Sequence, residues 1–389
     1  YLNIVKIVIF FKNKDMKKIH SLKIKRIVSN TVEINKITKK YNKLKSKKYE
    51  EKLRKTKKKF IYKSVRGEVI THKKTLDRIK KLNIPPNYEN VLINNKENSK
   101  LQAIGFDDKG RKQYIYHKDF ILENKLKKYE KYIILGKYVT QIKKDYITII
   151  NKIHNKKYIL WEQPTSNIAI MIYLLNECLF RIGNFKYFEN YDSHGIITLQ
   201  KKHFEFDDKK KITFIKFIGK KGVINENTIT DNKLYNIFKT LSNHKKDFIF
   251  QYTLNSKDDN NTMTINGDDV KKTLMSYHPE ITPKMFRTWH TNCYFILILK
   301  NNIKMLTKLI KTKKISTKIK STIMKNSCKE ISVKLHNTST VIKNSYLNNT
   351  LYDLFMNDLE LFIKLLEKNK HSNKETTLIN IEHEIRNKK

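Results

Sequence analysis

The chain has 389 residues, enough for two domains with sizeable cores, and 39% hydrophobic with 11% aromatic content excludes wholesale disorder. A formal net charge of +45 would strain any compact state with no anionic partner. It selects polyanions, nucleic acid first, with compositional drift toward lysine as the rival explanation.

The opening run Tyr1–Phe11, YLNIVKIVIFF, is too short to span a bilayer. It has neither the basic lead nor the small-residue cleavage site of a signal peptide. The chain does not begin with Met, and Met16 offers an alternative start. Residues 1–59 are lysine-rich and lack Gly and Pro, which reads as a basic extension, partly helical or disordered. From Phe60 the texture changes. FIYKSVRGEVIT alternates around Gly67 like a hairpin, and TLDRIKKLNI spaces Leu76, Ile79 and Leu82 as on a helix stopped by Pro85-Pro86. NVLINN, KLQAIGF and RKQYIYH read as three short strands, closing a β-rich module over 60–118.

Residues 119–369 read as mainly helical. KDYITIINKIHNKKYI is amphipathic, and Pro164-Thr165-Ser166 opens the apolar helix NIAIMIYLLNECLF. GIITLQ, KHFEF and KITFIKFI read as a strand cluster with a turn at Gly219–Gly222, and helices fill most of 232–367. Residues 370–389 read as a polar, frayed tail. Cys178, Cys293 and Cys328 form no CxxC pair, which argues against a disulfide framework or zinc site and for a reducing compartment.

Only eight of the 82 basic residues are arginine: Arg26, Arg54, Arg66, Arg78, Arg111, Arg181, Arg287 and Arg386. With lysine the default cation, these mark places where a planar fork of donors was kept. Arg181 in CLFRIGNFKY stands before Gly183, where a helix C-terminal cation beside a capping glycine is the bland reading. FIGKKGV puts Lys220 and Lys221 on a hairpin tip. A phosphate-loop reading fails because Phe214 occupies the position that needs Gly and no Ser or Thr follows the lysines. KMFRTWHTN carries Lys284 and Arg287 behind Pro283, and KLHNTSTVIKNSYL carries His336, Asn337 and Tyr346.

Taken in order, the set Arg…Lys…Lys-x-x-Arg…His-Asn…Tyr resembles the type IB DNA topoisomerases, specifically the compact poxvirus, giant-virus and bacterial group. The resemblance runs from Phe60 to Tyr346. RIKKLNIPPNYENVLI and KLQAIGFDDKGRKQYIYH look like the family's N-terminal clamping domain, and RIGNFKYFENYDSHGIITLQKKH like its first-arginine segment. It implies an α+β fold: a small β-rich N-terminal clamp domain and a larger, mainly α catalytic domain of the tyrosine recombinase/type IB topoisomerase fold. It implies relaxation of supercoiled double-stranded DNA by a monomer clamped around the duplex, without cofactor, ATP or metal, inside the cell where DNA is.

Residue by residue, the resemblance makes Tyr346 the nucleophile and Arg181 and Arg287 donors to the phosphate oxygens. Lys220 becomes the general acid and Asn337 the last phosphate donor. Poxvirus members carry His at that last place; bacterial members carry Asn in LGNT-like segments, so His336 stands where Gly is usual. Arg111, Gln113, Tyr114, Tyr116, Lys186, Tyr187 and Lys284 match DNA-contacting positions. A tyrosine recombinase or integrase is the nearest rival, but it usually carries His-x-x-Arg where this chain has Lys284-x-x-Arg287. A non-catalytic basic DNA-packaging protein would need no Tyr346 at all.

Overall fold

The computed structural model describes residues 22–28, 60–64, 66–155, 164–243, 247–253 and 262–387. Tyr1–Phe11, Met16 and Arg54 lie outside them. Five antiparallel strands, β1 (Leu22–Val28), β2 (Phe60–Ser64), β3 (Glu89–Asn94), β4 (Leu101–Phe106) and β5 (Lys112–Tyr116), form a sheet in the order β2-β1-β3-β4-β5. The last three are the strands expected from the sequence. β1 corrects the reading of residues 1–59 as a helical or disordered extension, because LKIKRIV is a strand paired on both sides. Its period of two turns Ile24 and Arg26 inward, where both are buried. Helix α1 (Lys73–Lys81) covers this sheet, packing Ile79 with Ile24, Val91, Ile93 and Ala103.

Two arginines tie the front sheet to its loops. Arg26 donates to the carbonyls of Ile84, Pro85 and Tyr88 and lies 4.3 Å from the Phe60 ring centre. Arg78 donates to Gln102 Oε1 at 2.9 Å and to the Asn94 carbonyl.

The chain divides into two units at Leu126/Lys127, inside the 37-residue helix α2 (Lys118–His154). The second unit is mainly helical, as expected. Its helices are α3 (Pro164–Asn176), α4 (Phe185–Tyr191), α5 (Asn232–Ser242), α6 (Gly267–Met275), α7 (Pro283–Asn301), α8 (Ile303–Lys311), α9 (Thr317–Lys334), α10 (Asn349–Asn357), α11 (Leu359–Lys368) and α12 (Lys374–Asn387). A three-stranded sheet, β6 (Phe204–Asp207), β7 (Ile212–Ile218) and β8 (Ile224–Ile229), and a two-stranded ribbon, β9 (Gln251–Thr253) with β10 (Thr262–Thr264), complete it. α7 runs through the core with Phe286, Trp289, Phe295 and Leu299 fully buried. Trp289 reaches α2 because Gly136 leaves space there: a Cβ at 136 would stand 2.4 Å from the indole.

Two expectations fail in this unit. GIITLQ is not a strand; Ile196–Thr198 forms a short 3₁₀ turn, and the third strand of that sheet is Ile224–Ile229. The tail expected to fray is instead α12, whose Leu378 and Ile381 are completely buried.

Candidate active site

Arg181 does not end a helix. α3 stops at Asn176 and the chain passes through Leu179 in the left-handed region, φ +55°, into an extended segment. There the Arg181 and Ile182 carbonyls accept from the N–H groups of Ile196 at 2.9 Å and Ile197 at 3.0 Å. Gly183, at φ +85°, and Gly195 press backbone against backbone, and a Cβ on Gly195 would lie 2.4 Å from Gly183 Cα. So Gly183 serves close approach rather than helix capping. Arg181 Nη2 donates to Asn337 Oδ1 at 3.0 Å.

Arg287 rises from the first turns of α7, which opens with Pro283 at its first position. It is 3% exposed. Nη1 and Nη2 donate to the carbonyls of Leu179 and Leu335, and Nε points at the Tyr346 hydroxyl, 3.3 Å away. Both carbonyls adjoin unusual backbone: Leu179 itself and His336, which follows Leu335 at φ +48°. A left-handed requirement at 336 gives a physical reason for a usual Gly there. The His336 ring lies 6.0 Å from that of Phe180. Asn337 also donates to the Leu335 carbonyl at 3.3 Å. Burial, then the neighbouring Arg181, lower the Arg287 pKa to about 10, which leaves it charged at neutral pH.

Tyr346 ends a widened turn, Ile342–Tyr346, in which Leu347 N–H reaches back five residues to the Ile342 carbonyl at 2.9 Å. Such π-type turns recur at functional sites. Three side chains hold the carbonyls around its end: the half-buried Lys128 takes Ser345, Asn292 takes Tyr346 at 3.1 Å, and Tyr129 takes Leu347. Lys128 Nζ also lies 5.3 Å from the Tyr346 ring centre. Burial opposes ionisation of this phenol, but the guanidiniums of Arg287 and Arg181 outweigh it and hold the pKa below its ordinary value.

Lys220 sits on the β7–β8 hairpin tip, which Gly219 N–H closes onto the Val223 carbonyl at 2.8 Å, with Lys221 and Gly222 at positive φ. Partial burial and then Arg181 lower its pKa, Tyr346 acts the opposite way, and Lys221 and Lys284 add to the lowering. Four segments far apart in sequence thus bring Arg181, Lys220, Arg287, Asn337 and Tyr346 into one electrostatic neighbourhood.

Residues 59–107 match the model of the bacterial DNA topoisomerase IB N-terminal domain, and residues 111–375 that of the eukaryotic DNA topoisomerase I catalytic core. The chain belongs to the type IB DNA topoisomerase family. It is 31% identical to the DNA topoisomerase 1B of Acanthamoeba polyphaga mimivirus over 312 residues, 79% of this chain and 87% of the relative. It is 25% identical to the DNA topoisomerase 1 of rabbit fibroma virus over 74% of this chain and 83% of that protein. With the vaccinia virus DNA topoisomerase 1B it shares 26% over 66% of this chain and 73% of that relative.

The expected DNA contacts of this topoisomerase fall in two places. Lys186 and Tyr187 are exposed on α4, capped by Asn184, and Lys284 is exposed on the first turn of α7. In the front sheet Asp107, which the sequence did not single out, organises the β4–β5 turn. Its carboxylate accepts from Arg111 Nε at 2.8 Å and Gln113 Nε2 at 2.9 Å, and the Arg111 bond first of all holds it down at about 2. Tyr114 and Tyr116 stack at 6.1 Å with Phe120 next in the row, Lys112 over Tyr114 and Lys100 over Phe120. Both tyrosines are over a third exposed, a polar-tipped aromatic surface rather than a core pair. Lys128 and Asn292 were also missed. Nothing in the sequence separates Lys128 from the other lysines, and Asn292 is marked only by sharing a helix with Arg287. Among the described residues no helix is long and apolar enough to cross a membrane, and no cluster of His, Cys, Asp or Glu could hold a metal ion.

Proposed function

We propose that the chain relaxes supercoiled DNA by transient cleavage of one strand through a covalent link to Tyr346, with no ATP and no metal. The Tyr346 hydroxyl attacks a phosphodiester in line. The new P–O bond to tyrosine forms as the P–O5′ bond breaks, leaving a 3′-phosphotyrosyl link and a free 5′-hydroxyl. The phenol gives up its proton to solvent, and the Lys220 ammonium protonates the departing 5′-oxygen. Arg181 and Arg287 donate to the non-bridging oxygens as charge develops there, and Asn337 adds an uncharged donor. Reversal of the same chemistry reseals the strand, because the phosphotyrosine conserves the bond.

The observation that carries this reading is Arg287. Its end-on nitrogens are fixed by two carbonyls, so its remaining edge is aimed at the Tyr346 hydroxyl. The front sheet, with Arg111, Gln113, Tyr114 and Tyr116, serves as the clamp of a monomer on duplex DNA.

Purified protein should relax supercoiled plasmid in excess chelator without nucleotide. Tyr346→Phe should abolish relaxation and the covalent adduct on a 5′-labelled strand, while duplex binding stays near the parent value. Relaxation by that variant would remove Tyr346 from its role. A recombinase would instead exchange strands between two half-site duplexes.

A further inference from the structure

Glu382 is a carboxylate buried to 2% exposure on α12, outside the residues that face DNA in the reading above. It accepts from the Tyr132 hydroxyl at 2.6 Å and from Asn348 Nδ2, and Arg386 Nε lies 3.8 Å from its second oxygen. If α12 merely covered the core, an apolar residue would do so at lower desolvation cost. The carboxylate adds direction. Asn348 stands two residues beyond Tyr346, and its remaining polar groups are engaged as well. Its N–H donates to Asn292 Oδ1 at 2.8 Å, and its Oδ1 caps α10 by accepting from Thr350 N–H at 3.0 Å. Asn292 in turn donates to the Tyr346 carbonyl. One polar chain therefore runs from α12 to the peptide unit of Tyr346, buried from Glu382 to Asn292 and half-buried at the Tyr346 carbonyl.

We infer that Glu382 is a positioning residue: acting through Asn348, it fixes the backbone that aims Tyr346 at Arg287. This rests on the reading of Tyr346 as nucleophile. Because the widened turn ends at Tyr346, the segment Ser345–Asn348 is held by side-chain partners more than by helix bonds. A displacement of about 1 Å at a reacting group costs on the order of 10²-fold in rate.

The experiment measures single-turnover cleavage of a labelled duplex by the full chain, duplex affinity in the Tyr346→Phe background, and the melting temperature. The adduct is first mapped by peptide mass spectrometry. Glu382→Leu should slow cleavage on the order of 10²-fold with affinity unchanged, whereas Glu382→Gln, which keeps the accepting oxygen, should recover most of the rate. Asn348→Ser keeps the helix cap but cuts the link, and should slow cleavage about as much as Glu382→Leu. The double variant should be no slower than the slower single one, since both cut one connection. If Glu382→Leu does not fold, Asn348→Ser decides. A lowered melting temperature with parental cleavage rate in the bound complex would overturn the inference, and so would multiplicative losses in the double variant. An adduct on a residue other than Tyr346 would overturn the reading of the nucleophile and this inference with it. An adduct on Tyr346 with parental rates in the variants would overturn this inference alone.

Discussion

Arg26, Arg78, Arg287 and Arg386 all donate to backbone carbonyls, Arg386 to that of Tyr129. Arg111 is committed to Asp107, and Arg181 to Asn337. Arg26 and Arg287 each span separate carbonyls with a planar fork that a lysine ammonium does not reproduce, and the scarcity of arginine in the sequence points toward such positions. It could not separate structural forks from those proposed to act on phosphate, because both use the same paired-donor geometry. Arg26→Lys should strand buried carbonyls and lower stability by about 1–3 kcal/mol, read as a drop in melting temperature with cleavage by the folded fraction unchanged. Arg181→Lys should leave the melting temperature near the parent value and slow cleavage ~10²–10³-fold. The pH profile follows from two lowered pKa values. Cleavage should rise with pH as Tyr346 loses its proton, entering that limb below 10, and fall again as Lys220 loses its own below 10.5. Lys220→Met should keep the rising limb and lose the falling one in single-turnover rates.

Elements with a clean period were readable, and β3, β4 and β5 stand where alternation put them. β1 and α12 were not, for one reason. In a chain this rich in lysine the outward positions of LKIKRIV and of KETTLINIEHEIRN look like more of the same polar background. The few inward residues, Ile24 and Arg26 or Leu378 and Ile381, carry the whole signal. GIITLQ failed differently: its apolar run has strand composition, but Gly195 must lie against Gly183 to hold the Arg181 segment, and the chain turns immediately afterwards. The ordered motif singled out side chains that the fold brings together, whereas the side chains gripping the Tyr346 backbone were illegible, since a single Asn or Lys carries no pattern. Gly195→Ala puts a methyl 2.4 Å from Gly183 Cα and 2.8 Å from the Arg181 carbonyl. It should cost about 1–3 kcal/mol and displace Arg181, which chemical denaturation and single-turnover cleavage would report together.

At the level of the whole chain, the charge of +45 implies binding that weakens steeply with salt. The log–log slope should grow by about 0.9 for each phosphate neutralised, and titrations at several salt concentrations would show a flat line if the charge were only compositional. Stability should respond to acid through two buried histidines. Burial first of all lowers His203 and His290 to about 4 from the ordinary histidine 6.5. Between those values the unfolded chain binds more protons than the folded one. Stability is therefore full above pH 6.5 and falls as pH drops toward 4, by up to about 1.4 kcal/mol per pH unit for each histidine. Melting temperatures across that window should decline, and His290→Gln should make the decline shallower.

The turn at Ile342–Tyr346 holds one residue more than an ordinary helical turn would. Remove any one of Lys343, Asn344 or Ser345 and the backbone can close a regular turn, but the side chain at its end is then rotated by about 100° and shifted about 1.5 Å along the axis. The hydroxyl would face away from Arg287 in a helix that had become more regular. In this stretch the chain can tolerate a change of spelling but not a change of length. Local order and catalytic aim pull in opposite directions there, and the count of residues is what keeps them reconciled.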